Sequence, residues 1–312
     1  MNRTKVLSVA NRVAYGETLI ELGKENPRIV VVDADAGKST GTLVFRKEFP
    51  DRFIEVGIAE QNMIGVSAGL ASCGKIPFAT SFGVFTSMRA VEQVRNAVCY
   101  TKLNVKIAGT HAGLETGEDG GTHQAIEDMA IIRSIPSIIL LVPATPNATR
   151  KLIRIAASIE GPVYLRFGKD PAEEFYSNRE EFPVGGSKQL TEGYDGTILA
   201  CGNMVAVALD AAELLEMQGI KVRVIDMYSI KPIDEEAVLK AARETKGIIT
   251  IEDHSIIGGL GGAVSEVTAT HHPAKVVRIG IQDRFGRSGD SKSLFKLYGL
   301  TAENLVQAVK NL

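Results

Sequence analysis

Cysteine is scarce in this sequence: Cys73, Cys99 and Cys201 are odd in number, far apart and outside any Cys-x-x-Cys arrangement. That argues against a disulfide framework or a structural zinc site and leaves all three to be read as small buried hydrophobes. An excess of one charge is missing too, because 35 Lys and Arg stand against 37 Asp and Glu for a formal net charge of -2, with no basic tract. Nucleic acid and an anionic membrane surface are thereby disfavoured as partners. No apolar run reaches the ~18 residues of a membrane span, and Met1 to Ala10 lacks the long apolar core of a secretory signal. A soluble, cytoplasmic protein is expected. Short-period repeats and low-complexity tracts are also absent.

What the chain does have is length for two cores, 312 residues being about twice a typical domain. Short β-branched runs at 29–33, 105–109, 137–142 and 163–167 alternate with longer helical patterns. Such alternation implies α/β domains, each a mainly parallel sheet flanked by helices. The order lapses between 171 and 186, where Glu, Asn and Pro crowd together, so the boundary falls there: 1–180 and a smaller 188–312. A new cycle then runs through a strand at 197–201, a helix at 206–218, a strand at 222–226, a helix at 234–245 and a strand at 247–252. Ligands are expected beyond the C-terminal ends of the strands.

Glu60 is the carboxylate that stands out, set in an apolar run after Gly57 and ahead of the small residues 64–71. Burial would raise its pKa and let it hold or share a proton near neutrality, whereas at an exposed helix start it would serve only the helix dipole. The turn 34–41 carries Gly37-Lys38-Ser39, but the first glycine of a P-loop is replaced by Val32, so a nucleotide site fails on spacing. Ser39 can still face an anion, or it and Thr40 can cap a helix. Phe82 and Phe85 follow a strand-like run and can wall a flat heterocycle or simply fill the core, with Arg89 and Gln93 close behind. His111, Asp119 and His123 lie in a glycine-rich loop, where imidazoles beside a carboxylate suit hydroxyl binding and proton transfer. Their spacing does not resemble a compact zinc motif, and no metal ligand is assigned. Arg166 places one cation in an apolar strand, as either a bidentate anion contact or a structural ion pair.

Taken in order, Arg12-Val13-Ala14-Tyr15-Gly16, Asp35 to Thr40, Asp51-Arg52-Phe53-Ile54-Glu55, Ile58-Ala59-Glu60-Gln61-Asn62-Met63, Gly117-Glu118-Asp119-Gly120, Ile230-Lys231-Pro232 and Glu252-Asp253-His254 resemble the C-terminal half of transketolase. The resemblance spans nearly the whole chain. It implies a pyrimidine-binding domain followed by a C-terminal domain, and transfer of a two-carbon ketol unit from a ketose phosphate to an aldose phosphate through the carbanion of thiamine diphosphate. By motif position Glu60 would meet the cofactor's pyrimidine ring, with Phe82 and Phe85 packed on it and Arg89 and Gln93 alongside. His111, Asp119 and His123 would contact sugar hydroxyls, and Arg12, Ser39, His111 and Arg166 would bind the distal phosphate.

The family's diphosphate half uses a Gly-Asp-Gly motif, which this sequence does not contain. As in split transketolases, the resemblance therefore implies a separate diphosphate-binding subunit that holds most of the Mg2+ (or Ca2+), within a two-plus-two heterotetramer. Two related activities share parts of the pattern. A β-type subunit of a 2-oxo acid dehydrogenase-like complex shares the cofactor Glu but fits the 60–62 run and the 117–124 loop less well. A deoxyxylulose-phosphate synthase is ordinarily one long chain with different loop residues. A non-catalytic regulatory subunit would be expected to lose Glu60, the histidines or the phosphate contacts, and none is lost.

Overall fold

The computed structural model describes residues 6–312. The first five positions of the expected 1–180 domain, and of the stretch read for a secretory core, lie outside the described residues. Ile29–Asp33 is buried at every position, as a β-branched strand covered on both faces should be. It belongs to a seven-stranded sheet ordered Ser229–Lys231, Ile139–Leu141, Val163–Arg166, Lys106–Thr110, Ile76–Phe82, Ile29–Asp33, Phe53–Glu55. Every pairing is parallel except the first, where Ser229–Lys231 runs antiparallel to Ile139–Leu141. That edge strand comes from the second half of the chain, so the two halves share a sheet.

The second sheet is ordered Val276–Ile281, Ile248–Ser255, Gly196–Ala200, Val222–Asp226, Lys188–Gln189, with the first four parallel and the last antiparallel. Pro171–Glu173 turns back to pair antiparallel with Leu7–Ala10, so the linker proper begins after it. Helices cover both sheets, giving two α/β domains. Several open on sequence-encoded caps: Thr145, Asp234, Asp290 and Thr301 each accept a backbone N–H three residues on. Leu260–His271 instead uses Glu252, whose carboxylate takes the N–H groups of Leu260 and Gly261 at 2.7 and 2.8 Å. Among the described residues no helix is long and apolar enough to cross a membrane. Cys99 and Cys201 are buried, but Cys73 is exposed just past the end of the helix Glu60–Ser72, correcting its expected burial.

The linker is tied to the second sheet by Tyr176, whose hydroxyl donates to Asp226 Oδ2 at 2.9 Å. Burial pushes the Asp226 carboxyl up to about 7 against that bond's opposing effect, and its other oxygen has no partner among the described residues. Since the unfolded chain releases this proton near 3.8, the folded state binds more protons between about 4 and about 7. Its contribution therefore erodes as pH rises through that window and is level above it. Asp226→Asn keeps the acceptor for Tyr176 without an ionisable group. It should stabilise the chain by on the order of 2 kcal/mol at pH 8 and by almost nothing at pH 4. Thermal melts at the two pH values check this, and an equal gap at both would assign the effect to packing.

Candidate active site

Glu60 opens the helix Glu60–Ser72 at the C-terminal side of the first sheet, and the residue is 2% exposed. The turn before it is pinned by Glu55 Oε1, which accepts the N–H groups of Asp35 at 2.8 Å and Gly57 at 2.9 Å. One carboxylate oxygen of Glu60 receives Arg89 Nη1 at 2.9 Å. Arg89 gets there because Phe85–Arg89 is a π-helical turn, closed by Ala90 N–H to Phe85 O at 3.2 Å. Such a turn holds one residue more than an α turn and is common at functional sites. The half-exposed guanidinium also lies 4.2 Å from the Phe85 ring centroid.

Four side chains, from the end of the strand Ile76–Phe82, the π turn after it and the loop beyond Lys106–Thr110, form one cluster. Phe82 and Phe85 stack at 5.9 Å and 11°, and His111 lies flat on Phe82 at 4.0 Å and 11°. His123 meets Phe85 edge-on at 5.3 Å. Gln93 donates to Glu92 at 2.7 Å, while its Oε1 is buried with no partner among the described residues. Asp119 stands apart, exposed at the end of the 3-10 helix Gly113–Asp119, and pairs with neither histidine. His111 adopts φ 53°, a left-handed backbone that a non-glycine residue keeps only when its surroundings enforce it. Its Nδ1 lies 3.0 Å from Thr110 Oγ1. Burial, then the charges of Arg12 and Lys169, push its pKa down to about 3, so the imidazole is neutral at physiological pH.

Those two cations mark an anion corner. Arg12, in the first turn of Asn11–Glu25, donates from Nη1 to Ser39 O at 2.7 Å and from Nε to Lys169 O at 3.2 Å. The helix can sit this close to the 35–42 turn because Gly41 has φ 85° and a Cβ there would lie 2.5 Å from Arg12 O. Asp33 shapes the turn from beneath, accepting Thr42 Oγ1 at 2.7 Å, Ala36 N–H at 2.8 Å and Thr40 Oγ1 at 3.3 Å. Neither Ser39 nor Thr40 is an N-cap, since both lie within the short helix Gly37–Thr40 behind Ala36. Lys169 is fixed by Glu115, whose buried carboxylate accepts its N–H at 2.9 Å, and its Nζ reaches Thr116 O at 3.3 Å.

Arg166 must be reassigned. It is 5% exposed, and its Nε–H is shared between the two carboxylate oxygens of Asp128 at 3.1 and 2.8 Å. Its Nη2 donates to Ala125 O at 3.1 Å and Asp253 O at 2.9 Å. A guanidinium so engaged inside the core has no open approach for a substrate phosphate, and the structural ion pair is the reading that holds. Sequence reasoning passed over Lys169, three residues further on. The signal available was its place just past Gly168, beyond the C-terminal end of a parallel strand.

The arrangement suits an enzyme that lays a planar heterocycle against one wall and an anionic substrate against the other. Residues 8–173 match the family described as transketolase, pyrimidine binding domain, and 185–305 match transketolase, C-terminal domain. The chain is 51% identical to the putative transketolase C-terminal section of Methanocaldococcus jannaschii, over 96% of this chain and 94% of that protein. It is 42% identical to a 6-deoxy-6-sulfo-D-fructose transketolase subunit of a Clostridium species, over 95% and 92% respectively. A solved split gene transketolase, described as an inactive beta4 tetramer, superposes with a TM-score of 0.91 at 51% identity, covering 97% of this chain and 98% of that one. This chain belongs to the transketolase family, as the half of a split enzyme that carries the pyrimidine-binding and C-terminal domains. The activity class is therefore a transferase.

Proposed function

We propose that this chain supplies the pyrimidine side of a thiamine-diphosphate site in a two-chain transketolase acting on sugar phosphates. The observation that carries the reading is Glu60, a carboxylate buried at the end of an aromatic wall with Oε2 bonded to a half-exposed Arg89. The residues fit the pyrimidine. Glu60 can bond a ring nitrogen, Phe82 and Phe85 offer parallel faces, and the orphaned Gln93 Oε1 can accept from an exocyclic amine. Arg89 holds the carboxylate in register from the open side.

When bound, the cofactor supplies the electron sink that carbon–carbon cleavage beside a carbonyl needs. Glu60 shares a proton with the ring nitrogen and so governs the basicity of the ring. His111 and His123 bond sugar hydroxyls, His123 moves protons from the stacked cluster, and Asp119 on the rim takes a further hydroxyl. Arg12, Lys169, Ser39 and neutral His111 receive the distal phosphate.

In this reading a partner chain holds Mg2+ (or Ca2+) and the diphosphate, in keeping with the likeness to a split transketolase. Bare apolar side chains near Glu60 and Arg89 in the sequence suit such a cover: Ile58 is 76% and Met88 42% exposed. A two-plus-two heterotetramer in the cytoplasm, serving the pentose phosphate pathway, completes the proposal. The test is ketol transfer from xylulose 5-phosphate to ribose 5-phosphate, first with this chain alone and then with a diphosphate-binding subunit. Activity in the mixture only is expected. Activity of the chain alone would overturn the separate partner, and an inactive, cofactor-loaded mixture would overturn the substrate assignment.

A further inference from the structure

The strained backbone at His111 is held by more than its own domain. Within the first domain, Thr116 Oγ1 donates to His111 O at 2.6 Å, Ala112 N–H to Phe167 O at 3.0 Å and Gly113 N–H to Ala125 O at 2.9 Å. The next N–H in line, Leu114, donates to both carboxylate oxygens of Asp253 at 2.9 and 3.1 Å. Asp253 lies near the end of the strand Ile248–Ser255 in the second sheet and is 1% exposed. Its Oδ2 is steadied by Asn203 Nδ2 at 3.1 Å, and its carbonyl by Arg166 at 2.9 Å. Contact with the loop is close, because a Cβ on Gly113, itself at φ 69°, would fall 2.3 Å from Asp253 Cγ. Two residues on, Ser255 N–H bonds Ile126 O at 2.8 Å. One strand end of the second domain thus grips both arms of the loop that carries His111 and His123.

We propose that Asp253 is a positioning residue for the transfer reaction: by fixing Leu114 it keeps His111 in its left-handed conformation and stacked on Phe82. This rests on the reading in which His111 meets the substrate. The second domain then acts on a site none of whose substrate contacts it supplies.

The test reads the His111 ring by NMR in the full chain, without cofactor or substrate, and sugar-phosphate turnover in the assembled complex. A ring stacked on Phe82 should resonate upfield through its ring current. In Asp253→Ala that shift should be lost and kcat/KM should fall roughly 10–100-fold, the usual loss when a supporting contact is removed. Asp253→Asn keeps an acceptor for the Leu114 N–H and should restore both to within about threefold of the parent. If the alanine variant does not fold, Asp253→Ser is read in its place against the same two outcomes. An unmoved His111 resonance in the folded variant, or an asparagine variant as impaired as alanine, would overturn the proposal. Because the NMR readout needs no substrate, it can fail while ketol transfer stands, and ketol transfer can be absent while the resonance moves.

Discussion

Glu60→Gln should fold like the parent and turn over ~10²–10⁴-fold more slowly, the range that one positioned acid–base group supplies. The amide matches the carboxylate in size and can still accept from Arg89, whose Nη1 lies 2.9 Å from Oε2. What it cannot do is give up and regain a proton at the cofactor's ring nitrogen. The loss should therefore sit in kcat rather than in the melting temperature, and should follow in kcat/KM for every donor sugar, since the step precedes any contact specific to the sugar. Steady-state rates of the assembled complex, with a thermal melt as control, make the measurement. Near-normal turnover would refute the assignment. A low Tm would mean instead that the carboxylate matters to the helix it opens, Glu60–Ser72, through the dipole.

The burial of Glu60 was legible because an ionisable residue inside an apolar, small-residue run has few uses. The sheets were legible in a similar way, since Ile29–Asp33 and Val222–Asp226 are buried throughout and mostly β-branched, the second interrupted by Arg223. Ser229–Lys231 was not legible as a strand of the first sheet, because three residues carry no period and its partner Ile139–Leu141 lies far back in the chain. The π turn at Phe85–Arg89 escaped for a different reason: one extra residue in a turn leaves no mark on an apolar pattern this short.

Arg166 shows where a residue-level signal divides. A cation in an apolar strand must have an anion, but the sequence does not say whether that anion is a ligand or a side chain. Its partner Asp128 sits 38 positions away. Asp253, bonded to a backbone N–H 139 positions away, could be seen only as part of a motif. Close backbone approaches between domains leave little trace beyond a glycine such as Gly113.

Replacing Lys169 and Arg166 by alanine should give opposite phenotypes. Lys169 is half-buried beside Arg12 and neutral His111, and among the described residues its ammonium group is held only by Thr116 O at 3.3 Å. Lys169→Ala should therefore raise KM for phosphorylated sugars by ~10–100-fold, the worth of one charged hydrogen bond to phosphate. KM for unphosphorylated analogues and the melting temperature should barely change. Arg12→Ala should act in the same direction, with an added structural cost because Arg12 also bridges Ser39 O and Lys169 O. Arg166→Ala removes the counter-charge of a wholly buried Asp128 and two carbonyl contacts. Leaving a buried carboxylate unpaired costs about 3–5 kcal/mol, so stability should fall steeply while the ratio of KM values for the two kinds of sugar stays where it was. Kinetics on both sugars, alongside melts of all three variants, separate the cases. If Arg166→Ala alone changes that ratio, the phosphate belongs to Arg166 after all and the anion corner around Lys169 is misassigned.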